Sequence, residues 1–357
     1  LLQGIIMMKM KFCLVKEKML KIFIKRFKKL CLGDDFIKKR IEWIDAFKGF
    51  AIIMVVYGHI LFNNKIVNLL YTIHLPMFMF ISGYLFKKEN INVNVKRKAK
   101  KIIIPYLFFS IIELIYFIFI ESKFRSIKLT PLQCIVGILC GYYDYLEFNV
   151  HLWYLPFFYF VIVVYNFLQN KTSVKVSRII FIVLGIIYPF IKIINLPFSC
   201  NRFDLMFYFA IGNFYYDNKG KINIFNHSKL FNFVIGTIII VFVYISYSYF
   251  NKIGLYYIGG LLSIFAFMIF SKLIEKKDII LKKVGKISLV ILCIHGPIYR
   301  VFIKIMSAFL NCSSDQIRKN FFYVTIIVIL TLIVCNLIYI VLKKINPILV
   351  GEKKQNV

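Results

Sequence analysis

Apolar residues fall along this chain in runs of about 17–24, which short charged loops separate. A helix needs about 20 consecutive apolar residues to cross the hydrocarbon core of a bilayer. The pattern therefore predicts an all-α integral membrane protein, a polytopic bundle of about ten transmembrane helices. The predicted spans are 44–62, 70–87, 102–121, 151–169, 178–195, 203–217, 230–249, 254–273, 287–306 and 321–343.

Cationic residues are shared unevenly between the two sets of loops that such spans would create. Loops after the even-numbered spans hold most of them, for example Lys87, Lys96, Lys171, Lys219 and Lys283. The cytoplasmic loops of membrane proteins are enriched in Lys and Arg. Both termini are therefore expected in the cytoplasm, with an even number of crossings.

The composition agrees with a membrane domain and excludes other classes. Hydrophobic residues make up 60% of the chain, against roughly 45–50% in soluble domains. The net charge of +31 lies mostly in the loops, so no separate basic domain is left to bind nucleic acid. The eight cysteines contain no C-x-x-C pair, and neither a zinc site nor a disulfide framework is expected. The expected location is a bacterial inner or cytoplasmic membrane, as a multi-pass protein.

The first 40 residues differ from the rest, because lysines alternate there with apolar residues at roughly helical spacing. Residues 1–40 are therefore predicted to be a basic amphipathic segment on the anionic cytoplasmic leaflet. Alternatively this stretch precedes the true start, since Leu1 is not Met and four methionines follow within it. Residues 41–345 form the predicted transmembrane domain, and 346–357 a basic cytoplasmic tail.

The first span carries three ionisable residues, Asp45, Lys48 and His59. At about 100° per residue, their spacing places them within roughly 60° of each other on one helix face. Ionisable side chains inside a membrane are costly and are functional candidates. Two other interpretations stay open: a local Asp45–Lys48 pair, and a hydrogen bond from His59 to a neighbouring helix.

Other histidines accompany His59 in the predicted membrane region. His74 and His151 open the second and fourth spans at the outer face, and His295 lies within the ninth. Neutral imidazoles act as general bases or nucleophiles near pH 7, so such a group favours proton-transfer chemistry. No H-x-x-x-H pattern occurs and Glu113 is the main carboxylate within the spans, so no metal is expected.

Glycine and proline mark places where a helix opens or approaches a partner closely. Gly83 lies deep in the second span, and Gly296 and Pro297 interrupt the ninth directly after His295. Arg202 lies at the outer end of the sixth span. Its guanidinium is suited to an anionic or sugar group, or to anchoring the span at the interface.

These residues resemble known sequence motifs. The stretches RIEWIDAFKGFAIIMVVYGHI and YTIHLPMFMFISGYLF resemble the membrane acyltransferase-3 family, within it the fucose 4-O-acetylase-like group. The first motif is matched by Asp45, Lys48, Gly49, Gly58 and His59, and the second by His74, Pro76, Phe78, Ser82, Gly83 and Tyr84.

Weaker motifs extend the resemblance to roughly residues 40–345. Lys98 and Lys101 precede Pro105-Tyr106 where the family usually has arginines, and Lys lacks the bidentate fork of Arg. The segments HLWYL at 151–155 and IHGP at 294–297 are similar to later family segments.

The resemblance implies a membrane-bound O-acyltransferase, an enzyme of about ten helices. It would take an acyl group, usually acetyl, from cytoplasmic acetyl-CoA and deliver it to a hydroxyl of a surface polysaccharide or lipid-linked sugar. Acetyl-CoA would be a co-substrate, without a metal. Acyl-CoA, the sugar acceptor and membrane lipids are the expected partners, with polysaccharide-assembly enzymes as further candidates and no nucleic acid.

The residue pattern and the resemblance together define an expected site. The expected catalytic residues are His59, Asp45 and His74. The expected acceptor-binding residues are Ser82, Tyr84, His151, Trp153, Arg202 and His295. The expected donor-binding residues are Lys48, Lys98 and Lys101. Two other functions stay open, a non-enzymatic carrier or flippase for a lipid-linked sugar or acyl group, and a scaffold for polysaccharide assembly.

Overall fold

The computed structural model describes residues 41–125, 129–190, 202–219, 228–247, 255–275 and 279–352 of the 357-residue chain. Every regular element in these ranges is helical, which confirms the all-α prediction for this part of the chain. The predicted amphipathic segment 1–40 lies outside the described residues. The predicted tail is described as far as residue 352, with a short helical turn over Pro347–Val350.

Most of the described residues lie in α-helices. In chain order they are α1 (Glu42–Ile60), α2 (Asn64–Tyr84), α3 (Ile91–Lys98), α4 (Ile104–Phe119), α5 (Pro131–Cys140), α6 (Tyr154–Lys171), α7 (Val174–Ile187), α8 (Asp204–Asn218), α9 (Lys229–Ile245), α10 (Leu255–Ile274), α11 (Ile279–Lys286), α12 (Ser288–Leu310), α13 (Ser314–Lys319) and α14 (Phe321–Ile345). A π-helical turn, Ala99–Ile103, joins α3 to α4, and a 3₁₀ segment, Tyr143–Trp153, leads into α6.

Seven segments of the described ranges are long and apolar enough to cross a membrane. They are Glu42–Ile60, Lys65–Tyr84, Ile91–Phe119, Tyr143–Lys171, Tyr256–Ile274, Ser288–Leu310 and Phe321–Ile345. The predicted spans 178–195, 203–217 and 230–249 fall on the shorter helices α7, α8 and α9. The protein is thus a multi-pass helical bundle, while the count of about ten and the side of both termini stay predictions.

Local sequence signals explain where several helices begin and end. The Asn63 side chain accepts a hydrogen bond from the Ile66 amide at 3.2 Å and begins α2. Thr130 and Gln133 form a reciprocal capping box at the start of α5. Gly141 ends that helix in the left-handed conformation, with φ of 65°, which glycine adopts without strain.

Glycines allow α2 and α8 to cross at backbone contact. A Cβ atom at Gly83 would lie 1.9 Å from the carbonyl oxygen of Phe209. A Cβ atom at Gly212 would lie 2.0 Å from the carbonyl oxygen of Phe80. The two helices therefore interlock through one glycine from each, the close approach that small residues permit in membrane bundles.

The helices α1 and α2 run antiparallel and define two ends of the bundle. At one end the ring centre of His59 lies 5.4 Å from that of Tyr71. At the other end the ring centres of Trp43 and Tyr84 are 5.5 Å apart. We call these the His59 end and the Lys48 end, since Lys48 follows Trp43 by about one helical turn and a half.

Candidate active site

Three imidazole rings from distant parts of the chain meet at the His59 end. The ring centre of His151 lies 3.8 Å from that of His59 and 4.3 Å from that of His295, and the remaining pair is 5.4 Å apart. His151 and His295 are buried, whereas His59 is partly exposed. We call these three residues the histidine cluster. His59 is therefore the most exposed member of the cluster.

Two contacts hold His59 in place. The Tyr71 hydroxyl lies 2.9 Å from His59 Nδ1, so this oxygen orients the ring and leaves Nε2 for a reacting group. Arg318 donates hydrogen bonds to the carbonyl oxygens of Ile60 at 2.9 Å and His59 at 3.4 Å. A guanidinium at this position satisfies carbonyl groups at the C-terminus of α1 and complements the negative end of its dipole.

His295 is oriented by its own helix. Its Nδ1 lies 2.8 Å from the carbonyl oxygen of Ile291 and 3.1 Å from that of Leu292. Carbonyl oxygens only accept hydrogen bonds, so Nδ1 carries the hydrogen and Nε2 presents a lone pair. Within the described residues, His295 Nε2 and both ring nitrogens of His151 have no hydrogen-bond partner.

Pro297 explains how a second polar group reaches the cluster. A proline has no amide hydrogen, so the carbonyl four residues earlier, on Cys293, loses its partner within the helix. The Asn149 side chain donates from Nδ2 to that carbonyl at 2.8 Å. The same amide nitrogen donates to Glu113 Oε2, which joins α4 to the cluster. The Cys293 carbonyl of α12, which has no partner within its helix, is thus the attachment point for the segment that carries His151.

An ion-pair group supports the same segment from the other side. Arg300 Nε lies 2.5 Å from Glu121 Oε1, and Arg125 Nη1 lies 3.3 Å from that oxygen. Both guanidinium groups also donate to the carbonyl oxygen of Phe148, at 3.2 Å from Arg300 and 3.5 Å from Arg125. Charged hydrogen bonds of this kind are stronger than neutral ones, and they fix the backbone directly before Asn149.

The histidine cluster contains three residues that could each offer a metal ligand. One ring nitrogen from each residue lies within 4.8 Å of the others. However, imidazoles that share one tetrahedral zinc ion have ring centres about 5 Å apart. The pair His151 and His295 is closer than this and nearly stacked, with 23° between the ring planes. The rings as placed do not fit a shared ion, and the sequence expectation of no metal stays a prediction.

Three of the other expected residues lie near the cluster without joining it. The His74 ring centre is 5.2 Å from that of Tyr71, one side chain away from His59. Arg202 forms a bidentate pair with Asp204, with both hydrogen bonds at 2.9 Å, and interacts electrostatically with His74. Trp153 packs among aromatic rings, with its centre 5.9 Å from that of Tyr154.

The structure does not bring Ser82, Tyr84 or Asp45 to the cluster. Ser82 donates to the Phe78 carbonyl oxygen of its own helix at 2.7 Å. Tyr84 contacts Trp43 at the Lys48 end, and Asp45 is buried at that end. Their expected roles in acceptor binding and catalysis stay predictions.

The three expected donor-binding lysines lie together at the Lys48 end. Lys98 interacts electrostatically with both Lys48 and Lys101. Lys101 lies within the π-helical turn Ala99–Ile103. Such turns are rare in proteins and are often found at functional sites. The lysines thus form a basic group about 16 Å along α1 from His59, since eleven residues separate Lys48 from His59.

Sequence reasoning missed several residues that shape the cluster. Tyr71, Asn149, Arg300 and Arg318 were given no role, and Glu113 was noted only as a carboxylate inside a span. Only Asn149 had a signal in the sequence. Pro297 predicts a carbonyl group without a partner in its own helix, and a hydrogen-bond donor from elsewhere must satisfy it. The other contacts join residues more than 11 positions apart in the chain and follow no local pattern.

Comparison with known proteins agrees with this architecture. The model of the acyltransferase-3 family, described as an acyltransferase domain, matches residues 41–340. No curated protein and no solved structure matches the chain. The matched range includes all three residues of the histidine cluster and the three lysines. The chain therefore belongs to the acyltransferase-3 family, as a multi-pass membrane acyltransferase.

Proposed function

We propose that this protein transfers an acetyl group from acetyl-CoA to a hydroxyl of a surface polysaccharide or lipid-linked sugar. The observation that carries the proposal is the histidine cluster, in which His295 Nε2 and both ring nitrogens of His151 lie beside His59 and have no hydrogen-bond partner in the part of the chain that the structure describes. Unpartnered polar atoms in a buried place cost about 1–3 kcal/mol each, so a polar ligand gains by binding there. The fucose 4-O-acetylase-like group fits this proposal as the finer assignment.

The chemistry assigned to His59 is proton transfer. As the acceptor oxygen attacks the thioester carbonyl carbon, His59 Nε2 takes the hydroxyl proton and the Tyr71 oxygen holds the ring. The new C–O bond forms, the C–S bond breaks, and the proton passes from His59 to the leaving thiolate, which departs as CoA thiol. A second route, in which His59 first carries the acyl group itself, uses the same residue and has the same overall balance.

The two ends of the bundle suit the two substrates. The lysine group at the Lys48 end provides positive charge for the phosphates of CoA, and the predicted topology places that end in the cytoplasm. The flexible arm of CoA would then extend along α1 toward His59. The histidine cluster lies at the opposite end, where an extracytoplasmic sugar would arrive. In this arrangement the membrane bundle brings together substrates from its two sides.

A reconstituted assay tests the proposal. Purified protein in liposomes is supplied with acetyl-CoA and octyl β-D-glucoside, a sugar acceptor with a lipid-like tail, below its critical micelle concentration. We expect release of CoA thiol that depends on the acceptor, together with an acetyl ester found by mass spectrometry. A carrier or flippase would release no CoA. In cells, glycan NMR of a deletion strain should show a missing acetyl ester that the restored gene returns, and unchanged glycan would contradict the proposal.

The lysine group leads to a separate prediction about the donor. Replacing Lys98 and Lys101 together by glutamine should raise the KM for acetyl-CoA about tenfold, because charge-assisted hydrogen bonds to phosphate are lost. Added salt should raise the KM of the wild-type protein and change that of the variant less, since salt screens exposed charges. Initial rates at several acetyl-CoA concentrations give both values.

The matched control is Lys65→Gln. Lys65 is an exposed lysine at the His59 end, where it lies over the Tyr244 ring. Its replacement removes one positive charge by the same substitution at the end of the bundle opposite the lysine group. An equal rise in KM for the control, or no rise for the double variant, would remove the lysine group from the donor site.

A further inference from the structure

The Asn149 side chain is fixed by two hydrogen bonds, although the residue lies in a segment that connects two helices. It interrupts the 3₁₀ segment with φ of −148° and ψ of 81°, and its side chain is fully buried. Both hydrogens of its amide nitrogen are used, one by the Cys293 carbonyl and one by Glu113. A carbonyl or carboxylate oxygen can face only the NH₂ group of the amide. The two contacts therefore determine that Oδ1 points the other way.

The oxygen of this amide lies beside the histidine cluster. Asn149 Oδ1 has no hydrogen-bond partner among the described residues. A Cβ atom at Gly296 would lie 2.9 Å from Asn149 Oδ1 and 3.1 Å from His151 Nε2, which is tighter than an ordinary contact. A glycine is therefore needed where α12 passes these two atoms. Gly296 follows His295 directly, so Asn149 Oδ1 adjoins the rings of the cluster.

An amide oxygen only accepts hydrogen bonds, so the ligand at this place must be a donor. In the proposed reaction the hydrogen of the reacting hydroxyl is directed at His59 and cannot also be donated to Asn149. A second hydroxyl on the same acceptor has a free hydrogen. On a sugar ring, the carbon next to the reacting one ordinarily carries such a hydroxyl.

We infer that Asn149 Oδ1 binds a second acceptor hydroxyl next to the one that is acylated, so that the site selects vicinal diols, and that Glu113 positions the Asn149 amide for this contact. The inference rests on the proposed function and names its acceptor class more closely. Glu113 acts through Asn149 and touches no substrate. Glycine is required at position 296, because the Cβ atom of any other residue would lie 2.9 Å from Asn149 Oδ1.

The test uses full-length protein in liposomes, acetyl-CoA and octyl β-D-glucoside, together with its analogues that each lack one ring hydroxyl. Wild-type protein should acylate one position, and loss of the neighbouring hydroxyl should raise the acceptor KM about 10- to 100-fold. In Asn149→Leu, which keeps the size and removes the acceptor oxygen, the parent compound and that analogue should have the same KM. This comparison isolates the contact as a double-mutant cycle does.

Variants of Glu113 separate positioning from folding. Glu113→Gln can still accept from the Asn149 amide and should keep the preference for the diol, whereas Glu113→Leu should lose it. Gly296→Ala, whose added methyl group would press on Asn149 Oδ1, should also lose it. A merely structural role would lower the rates for all acceptors together and leave the ratio of their KM values unchanged.

The outcomes distinguish the two proposals. If wild-type protein forms no ester with any of these acceptors, the proposed function fails. If ester forms but no analogue raises the KM, or if Asn149→Leu keeps the full preference, the inference about Asn149 fails while the proposed function stands. The comparison of acceptor analogues on wild-type protein needs no variant. It therefore tests the preference for the diol even where a substitution prevents folding.

Discussion

Replacing His59 by alanine should lower acetyl transfer about 10²- to 10⁴-fold, which is the usual contribution of a general base. The ring lies at the partly exposed edge of the cluster, and its loss leaves the backbone of α1 held by Arg318. The protein should therefore still insert and elute as a single species. Acceptor-dependent CoA release in liposomes and the acetyl content of surface glycan measure the effect.

Two matched variants show whether the effect is chemical. Tyr71→Phe keeps the ring beside His59 and removes the hydroxyl at Nδ1, so a smaller loss of about tenfold is expected. Ser271→Ala changes a buried serine whose hydroxyl bonds only within its own helix, to the Phe267 carbonyl at 2.6 Å, and should leave transfer near the wild-type rate. Normal acetylation by the His59 variant would remove His59 from the proposed mechanism.

A large effect on stability is expected where α2 and α8 cross. In Gly212→Ala the new methyl group would lie 2.0 Å from the Phe80 carbonyl oxygen, a backbone atom that cannot move aside alone. The helices must separate, and overpacking of this kind costs about 1–3 kcal/mol or more. A fall in thermal unfolding midpoint and in yield from the membrane should follow, and Gly83→Ala should behave in the same way.

Gly58→Ala is the control for this prediction. Its added methyl group would lie 3.8 Å from Leu70 Cβ, an ordinary van der Waals contact, on the same end of α1 as His59. Alanine is favoured over glycine inside a helix by up to about 1 kcal/mol, so the control should unfold at the wild-type temperature or slightly above. Equal unfolding midpoints for Gly58→Ala and Gly212→Ala would show that the crossing is not tight.

Helix positions were the most predictable feature of the fold. The predicted spans 44–62 and 70–87 correspond to α1 and α2, and the predicted span 321–343 corresponds to α14. Each is a local property, because the length of an apolar run and the chemistry of its caps are read within about 20 residues. The number of crossings is not decided by local sequence. The helix α8, for example, has 15 residues, which is shorter than the length that crosses a bilayer by itself.

The candidate site was predictable in part. Spacing on one helix face drew attention to His59, and their places in the predicted spans drew attention to His151 and His295. The same reasoning grouped Tyr84 with the acceptor, but its ring packs on Trp43 at the Lys48 end. Helical periodicity gives the direction of a side chain around its own axis, and it does not say which end of an antiparallel neighbour that side chain meets.

By itself the sequence determined an all-helical membrane bundle, a histidine in its first span and a lysine, Lys48, about 16 Å away along the same helix. These features depend on neighbours a few turns apart. Only the tertiary structure decided that three rings from α1, the Tyr143–Trp153 segment and α12 meet, and that Asn149 reaches the carbonyl that Pro297 leaves free. Contacts between residues more than 90 positions apart depend on how whole helices pack, and no local pattern encodes that arrangement.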